Sequence, residues 1–261
     1  MLRTCLKELD TRMDGLGDSQ LSINANRSAG ADRHIWCLYF FARARYNLRE
    51  SPSFETLEAY EMHRQVKIAT QQLVIDDWVK GLAAIGERDF TLETVQDYIL
   101  HHAVRPETLE KYLFFSKGNY TRNLIFKNGV FECMTICWEI GQCSRIHNHR
   151  DQNCWMSAPI GRLRVQNFRV QERDAKCGTC HIVPTDIYDM DAAHPAYVNP
   201  LEPVHQVQNL PEFNQRAVSI HVYSKPFDTC EIYQREKGTY ADVPLHYTSE
   251  YGKLNPAEKL L

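Results

Sequence analysis

The chain carries little excess charge of either sign: 30 Lys and Arg stand against 33 Asp and Glu, a net charge of -3. Without surplus cations to neutralise phosphates, nucleic acid is not an expected partner. Long apolar runs are missing too. The longest, Ile35 to Ala42, falls far short of the roughly 20 residues that cross a bilayer. The first residues alternate charged and apolar types and lack the apolar stretch of a secretion signal. No membrane segment is expected, and the protein reads as cytoplasmic. There is no internal repeat and no low-complexity tract. Cysteine is not scarce, but its number is odd, nine, and the chain of 261 residues with 43% hydrophobic composition is large enough to fold without disulfides. Most of these thiols read as small packing residues in a reducing compartment.

Two textures divide the chain. From Met1 to about Glu50 there is no clear hydrophobic period, and residues 1–70 are expected to form an N-terminal extension to a domain over 71–261. Between Phe54 and Phe115 the signals are helical. Val74, Trp78 and Leu82 recur at i+4, Thr91 suits an N-cap before Leu92, Val95 and Ile99, and Pro106 suits a first turn before Leu109 and Leu113. Three or four helices are expected there. After Gly118 the sequence turns to short β-branched and aromatic runs broken by Gly, Pro, Asn and Asp. Strands are expected at Tyr120–Phe126, Val130–Trp138, Cys154–Ser157, Arg162–Val170, Ala196–Val198, Val204–Asn209, Ala217–Ser224 and Cys230–Arg235, enough for a sandwich or barrel.

Eleven histidines are uninformative one by one, but spacing separates them. His147 and His149 stand two apart, so on a strand both rings project from one face. They form either half of a metal site or a hydrogen-bonded structural pair. The wider string resembles the first cupin motif with one change: Gly141, five residues, His147, one residue, His149, four residues, Cys154, six residues, Gly161. Cys154 stands where cupins usually carry a glutamate ligand. Pro203-Val204-His205 through to Asn209 resembles the second motif. Three neutral histidines would leave an iron(II) with its full charge and about three open positions, whereas structural zinc is normally closed by a fourth protein ligand. An open, carboxylate-free site favours an anionic, soft ligand such as a thiolate.

Three strings are similar to the cysteine dioxygenase family: Tyr120-Thr121-Arg122-Asn123-Leu124, His147-x-His149 with Cys154, and Ala217 through Cys230, written AVSIHVYSKPFDTC. The similarity runs from about residue 70 to residue 253. It implies a mainly β fold, a cupin or jelly-roll β-barrel with an α-helical N-terminal region. It also implies Fe(II) held by His147, His149 and His205, and a reaction that adds both atoms of O2 to the sulfur of L-cysteine. By the same resemblance Arg122 holds the substrate carboxylate, Tyr120 and Cys230 line the pocket, and Ser219 supports His221, which holds the phenol of Tyr223. Cys154 and Tyr223 match the residues joined by a thioether in the animal enzymes. The implied partners are a small thiol and O2, acting on a monomer.

Several positions depart from that pattern: Asn148 replaces an acidic residue between the ligands, Arg150 and Asn153 flank the site, and Trp155 through Pro159 stands where the family has an apolar strand and turn. These keep other thiol acids, 3-mercaptopropionate or a larger one, open as substrates. Arg122 argues against cysteamine, and glutamine is the usual residue at its position in the bacterial mercaptopropionate enzymes. A non-catalytic metal-binding cupin is the reading from another class. Cys177-Gly-Thr-Cys180-His181 matches haem c, zinc and redox patterns, but is expected to be a turn bent at Gly178. Asp186, Asp189 and Asp191 are expected in a solvated loop.

Overall fold

The computed structural model describes residues 71–198 and 202–256. The expected N-terminal extension, 1–70, lies outside these residues, as does the first part of the helical stretch. Strand β1 (Gln71–Leu73) is followed by helices α1 (Ile75–Ala83) and α2 (Leu92–His101) and then by β2 (His102–Val104), which pairs with β1 in parallel. In α1 the buried residues are Ile75, Trp78, Val79 and Leu82, one face of a helix. The hydroxyl of Thr91 accepts from the backbone N–H of Thr94 at 3.2 Å, the expected cap of α2. The turn opened by Pro106 is a 3₁₀ helix, Pro106–Tyr112, and not an α-helix. Its buried residues, Leu109 and Tyr112, are three apart and so share a face at three residues per turn.

From residue 121 the chain is built of strands: β3 (Thr121–Lys127), β4 (Glu132–Trp138), β5 (Ile146–His147), β6 (Asn153–Ile160), β7 (Leu163–Asp174), β8 (Thr179–Met190), β9 (Ala196–Tyr197), β10 (Val204–Gln208), β11 (Ala217–Ser224), β12 (Thr229–Gln234), β13 (Thr239–Pro244), β14 (Ser249–Glu250) and β15 (Lys253–Leu254). One sheet closes on itself in the order β10-β5-β12-β13-β8-β7, and the other runs β15-β14-β3-β4-β11-β6-β9. This is the jelly-roll, cupin-type architecture.

The second sheet is buried on both faces. Its outer residues Cys133, Cys137, Trp155, Val218, Ile220 and Val222 form one apolar cluster with Trp78, Leu82 and Val95 of the helices. Its inner residues Met134, Trp138, Cys154 and Met156 pack against Leu163, Val165 and Val207 of the closed sheet. Burying one such large side chain contributes about 1.5–3 kcal/mol. In β11 the apolar Val218, Ile220 and Val222 face the helices, so the alternating Ser219, His221 and Tyr223 face the space between the sheets. All of β11 except Ser224 is buried. Its polar face is therefore an interior wall.

Two long strands, β8 and β13, were not expected. Asp186 and Asp189 lie within β8, not in a loop, and Asp191 follows its end. β8 buries only Cys180, Ile182 and Met190, and its pairing with β7 is interrupted by register shifts at Gln166/Phe168 and Val170/Glu172. Such bulges destroy the period of two by which a strand is read. Arg164 donates to Asp189 at 2.8 and 3.2 Å, which accounts for that carboxylate. The Cys177–Cys180 stretch is the turn between β7 and β8, with Gly178 at φ 65° as expected. Among the described residues no helix is long and apolar enough to cross a membrane.

Candidate active site

His147 ends β5, His205 lies on β10, and the two are direct partners in the ladder between those strands. His149 lies beyond the end of β5, a correction to the expectation that both histidines of the pair share one strand. The chain leaves the strand at Asn148 and turns through Arg150 and Asp151, both with left-handed φ (53° and 61°). Gln152 closes the turn with an N–H bond to the carbonyl of His149 at 3.0 Å. The three rings still converge, with centroids 4.7 to 5.1 Å apart. One ring nitrogen from each lies within 4.8 Å of the others, the one metal-capable group of three or more such side chains among the described residues.

The donor set fits a metal. Both nitrogens of His149 and both of His205 are buried without a hydrogen-bond partner, a costly arrangement unless something binds them. His147 places Nδ1 2.8 Å from the Arg145 carbonyl, so Nδ1 carries the proton and Nε2 is left with a free lone pair. Burial lowers all three imidazoles, His147 to about 4, with the Arg122 charge adding to the effect on His147 and His149. All three are neutral ligands at neutral pH.

Tyr223, Cys154 and Glu132 are brought together by register. Across β11 and β6, Tyr223 pairs with Cys154; across β11 and β4, it pairs with Glu132. The phenol ring lies 5.4 Å from that of His149, and Phe227 packs against both at 5.1 and 6.0 Å. Burial raises the Cys154 thiol and the Tyr223 phenol well above their ordinary ranges, so both are protonated.

Behind the phenol runs a chain of hydrogen bonds. Trp138 Nε1–H donates to Ser219 Oγ at 3.0 Å, Ser219 Oγ lies 2.8 Å from His221 Nε2, and His221 Nδ1 lies 3.0 Å from the Tyr223 hydroxyl. Burial lowers the His221 imidazole to about 3, so it is neutral and has one N–H. If Ser219 donates to Nε2, every group is satisfied: Nδ1–H donates to the phenol oxygen, and the phenol proton is free to point into the site.

Arg122, on β3, has a side chain 11% exposed. Its charge is felt at His147, His149, His221, Tyr223, Tyr120 and Cys230. Nη1 is buried and unpartnered, while Nη2 stands 3.9 Å from Glu132 Oε1. Tyr247 donates to Glu132 Oε2, Lys127 approaches the same oxygen at 3.4 Å, and the Arg122 guanidinium lies 5.5 Å from the Tyr247 ring centroid. Burial raises Tyr247 to about 12, which keeps it a donor. Tyr120, just before β3, stacks on Trp138 at 4.7 Å. Cys230 is buried on β12.

All ten residues named from the sequence thus lie on or beside the space between the sheets. Glu132, Trp138, Phe227 and Tyr247 were not named. Glu132 carried a signal, a single carboxylate in the apolar run from Phe131 to Trp138. Asn209 of the second motif donates to the carbonyls of Trp138, Glu139 and Gln215, and so staples loops and is no ligand.

A family model described as cysteine dioxygenase type I matches residues 67–236. Cysteine dioxygenase type 1 of Danio rerio is 31% identical over 186 residues, covering 70% of this chain and 90% of that protein. The Homo sapiens protein of the same name is 29% identical over 169 residues, covering 64% and 82%. A solved structure of an uncharacterized protein with a double-stranded beta-helix domain from Klebsiella pneumoniae is 14% identical, with coverage of 44% of this chain and 80% of that one and a TM-score of 0.33.

Proposed function

Because the chain belongs to the cysteine dioxygenase type I family, and is thus a thiol dioxygenase, we propose that its substrate is L-cysteine and that its metal is Fe(II), held by His147, His149 and His205. The observation that carries this reading is the unpaired Nη1 of Arg122 in the same interior as the three converging imidazoles. A substrate with a carboxylate and a thiol at opposite ends would engage both. The overall reaction, R–SH plus O2 giving R–SO2H, balances without an external reductant, since sulfur supplies the electrons. Ferrous iron would supply the redox chemistry, as a soft Lewis acid with positions open to thiolate and O2.

The protein's own part is to bind, orient and hold protons. Arg122 fixes the carboxylate through charge-assisted hydrogen bonds. Two cations, Arg122 and Lys127, face one carboxyl group, Glu132, leaving a net positive site for one substrate carboxylate. Tyr223 directs its phenol proton toward the reacting sulfur and oxygens, oriented by His221 and Ser219. Tyr120 and Cys230 complete the pocket wall. Phe227 screens Tyr223 and His149 from water. The pairing of Cys154 with Tyr223 supports a thioether between them. Peptide mass after turnover reads that link as a loss of two hydrogens, and an unchanged mass refutes it. Free thiols at the seven described cysteines suit a cytoplasmic setting.

Sulfinate formation on a panel of L-cysteine, 3-mercaptopropionate, a longer thiol acid and cysteamine tests the substrate. L-Cysteine is expected to have the highest kcat/KM and cysteamine the lowest. A preference for cysteamine would remove Arg122 from its role.

A further inference from the structure

Asn148, the residue between His147 and His149, is bound to a single partner three times. Its backbone N–H donates to the carbonyl of Glu231 at 3.1 Å, its side-chain Oδ1 accepts the Glu231 N–H at 3.1 Å, and its Nδ2 donates to Glu231 Oε2 at 2.7 Å. Glu231 is itself immobilised. Arg173 grips its carboxylate in a fork at 3.0 and 2.5 Å, the Tyr233 hydroxyl donates to it at 2.9 Å, and Arg150 stands 3.6 Å away. Its side chain is only 6% exposed. These contacts matter because His149 has no side-chain hydrogen bond of its own and sits in a turn, outside any strand ladder. His147 is held by the Arg145 carbonyl and His205 by a ladder on each side. The direction of His149 is therefore set by its backbone and by ring packing, and the backbone just before it is fixed by Glu231.

We infer that Glu231 is a positioning residue for the three-histidine site, clamping Asn148 so that the imidazoles on either side are aimed at one point. The inference rests on the metal reading given above. It assigns the Arg173–Glu231 pair a task beyond closing one end of the barrel: it supplies the rigidity that a longer β5 would otherwise give. Loss of such outer contacts typically weakens metal affinity about 10–100-fold.

The test is Co(II) titration of the full-length, metal-free protein, read by the ligand-field absorption of the bound ion, alongside thermal melting of the same metal-free samples. Wild type is expected to bind, and His205→Ala to lose binding. Glu231→Ala and Asn148→Ala are expected to weaken Co(II) affinity about 10–100-fold. Asn148→Asp sets two carboxylates face to face and should weaken it likewise. The swap Asn148→Asp with Glu231→Gln restores one carboxylate and one amide across the pair and should recover most of the lost affinity, a coupling that general destabilisation does not produce. If Glu231→Ala does not fold, Asn148→Ala and the swap carry the test. Equal Co(II) affinity in wild type, Glu231→Ala and Asn148→Ala overturns the clamp alone, as does a swap that recovers nothing. Equal binding by wild type and His205→Ala overturns the metal site and the clamp with it.

Discussion

Replacing Ser219 by Ala isolates the hydrogen-bond chain behind Tyr223. The serine hydroxyl is fully buried and bridges the Trp138 N–H at 3.0 Å and His221 Nε2 at 2.8 Å. Its removal leaves both groups unpaired, at a cost of about 1–3 kcal/mol each. For a domain of this size that lowers the melting temperature by roughly 4–15 °C. The functional effect is separate. Without a donor at Nε2, His221 no longer prefers the tautomer whose Nδ1–H points at the phenol, so the Tyr223 proton can turn inward to His221 and away from the substrate. Proton delivery by a positioned side chain is typically worth about 10²–10⁴-fold, so kcat should fall at least about tenfold with KM little changed, since Arg122 is untouched. Steady-state oxygen uptake with L-cysteine, run well below the melting transition, reads this directly. A folded, destabilised Ser219→Ala enzyme with wild-type kcat would refute the assigned direction of the chain.

Arg122→Lys replaces a fork by a point charge and is expected to raise KM for L-cysteine about 10–100-fold, the loss of one charge-assisted bond, with kcat less affected; initial rates across substrate concentration check it. Metal-free protein should lose stability as pH falls below 6.5, because the unfolded chain takes up protons there while His221, held down to about 3, does not. The slope from this group alone is about 1.4 kcal/mol per pH unit, it ends near pH 3, and urea midpoints from pH 7 to 5 measure it. Gly161→Ala should destabilise the turn between β6 and β7 by more than about 1 kcal/mol, since φ is +76° and the added Cβ would meet the Arg216 carbonyl oxygen at 2.7 Å; denaturant unfolding with unchanged metal binding is the expected result.

Much of the site was legible because its residues lie at fixed short spacings. His147 and His149 two apart, and the alternation through Ser219, His221 and Tyr223, are local patterns that any strand converts into a face. What alternation could not say was whether that face meets water or an interior; helices α1 and α2 on the opposite face decide it. Glu132, Trp138, Tyr247 and Glu231 escaped notice because each reaches the site from another strand or a distant loop, where no short motif records the contact. The place of His149 was missed for a related reason: β5 is only two residues long, and the left-handed turn at Arg150 and Asp151 has no glycine to announce it. β8 was hidden by its bulged pairing and half-exposed sequence.

The central claim is that three imidazoles together hold the ion on which thiol oxygenation depends. Iron content and sulfinate yield, measured on the same preparations of wild type and His205→Ala, address it in one experiment. Stoichiometric iron and matched consumption of O2 and cysteine are expected in the wild type, with both lost in the variant. A variant that still folds, oxidises cysteine at the wild-type rate and keeps its iron would contradict the account.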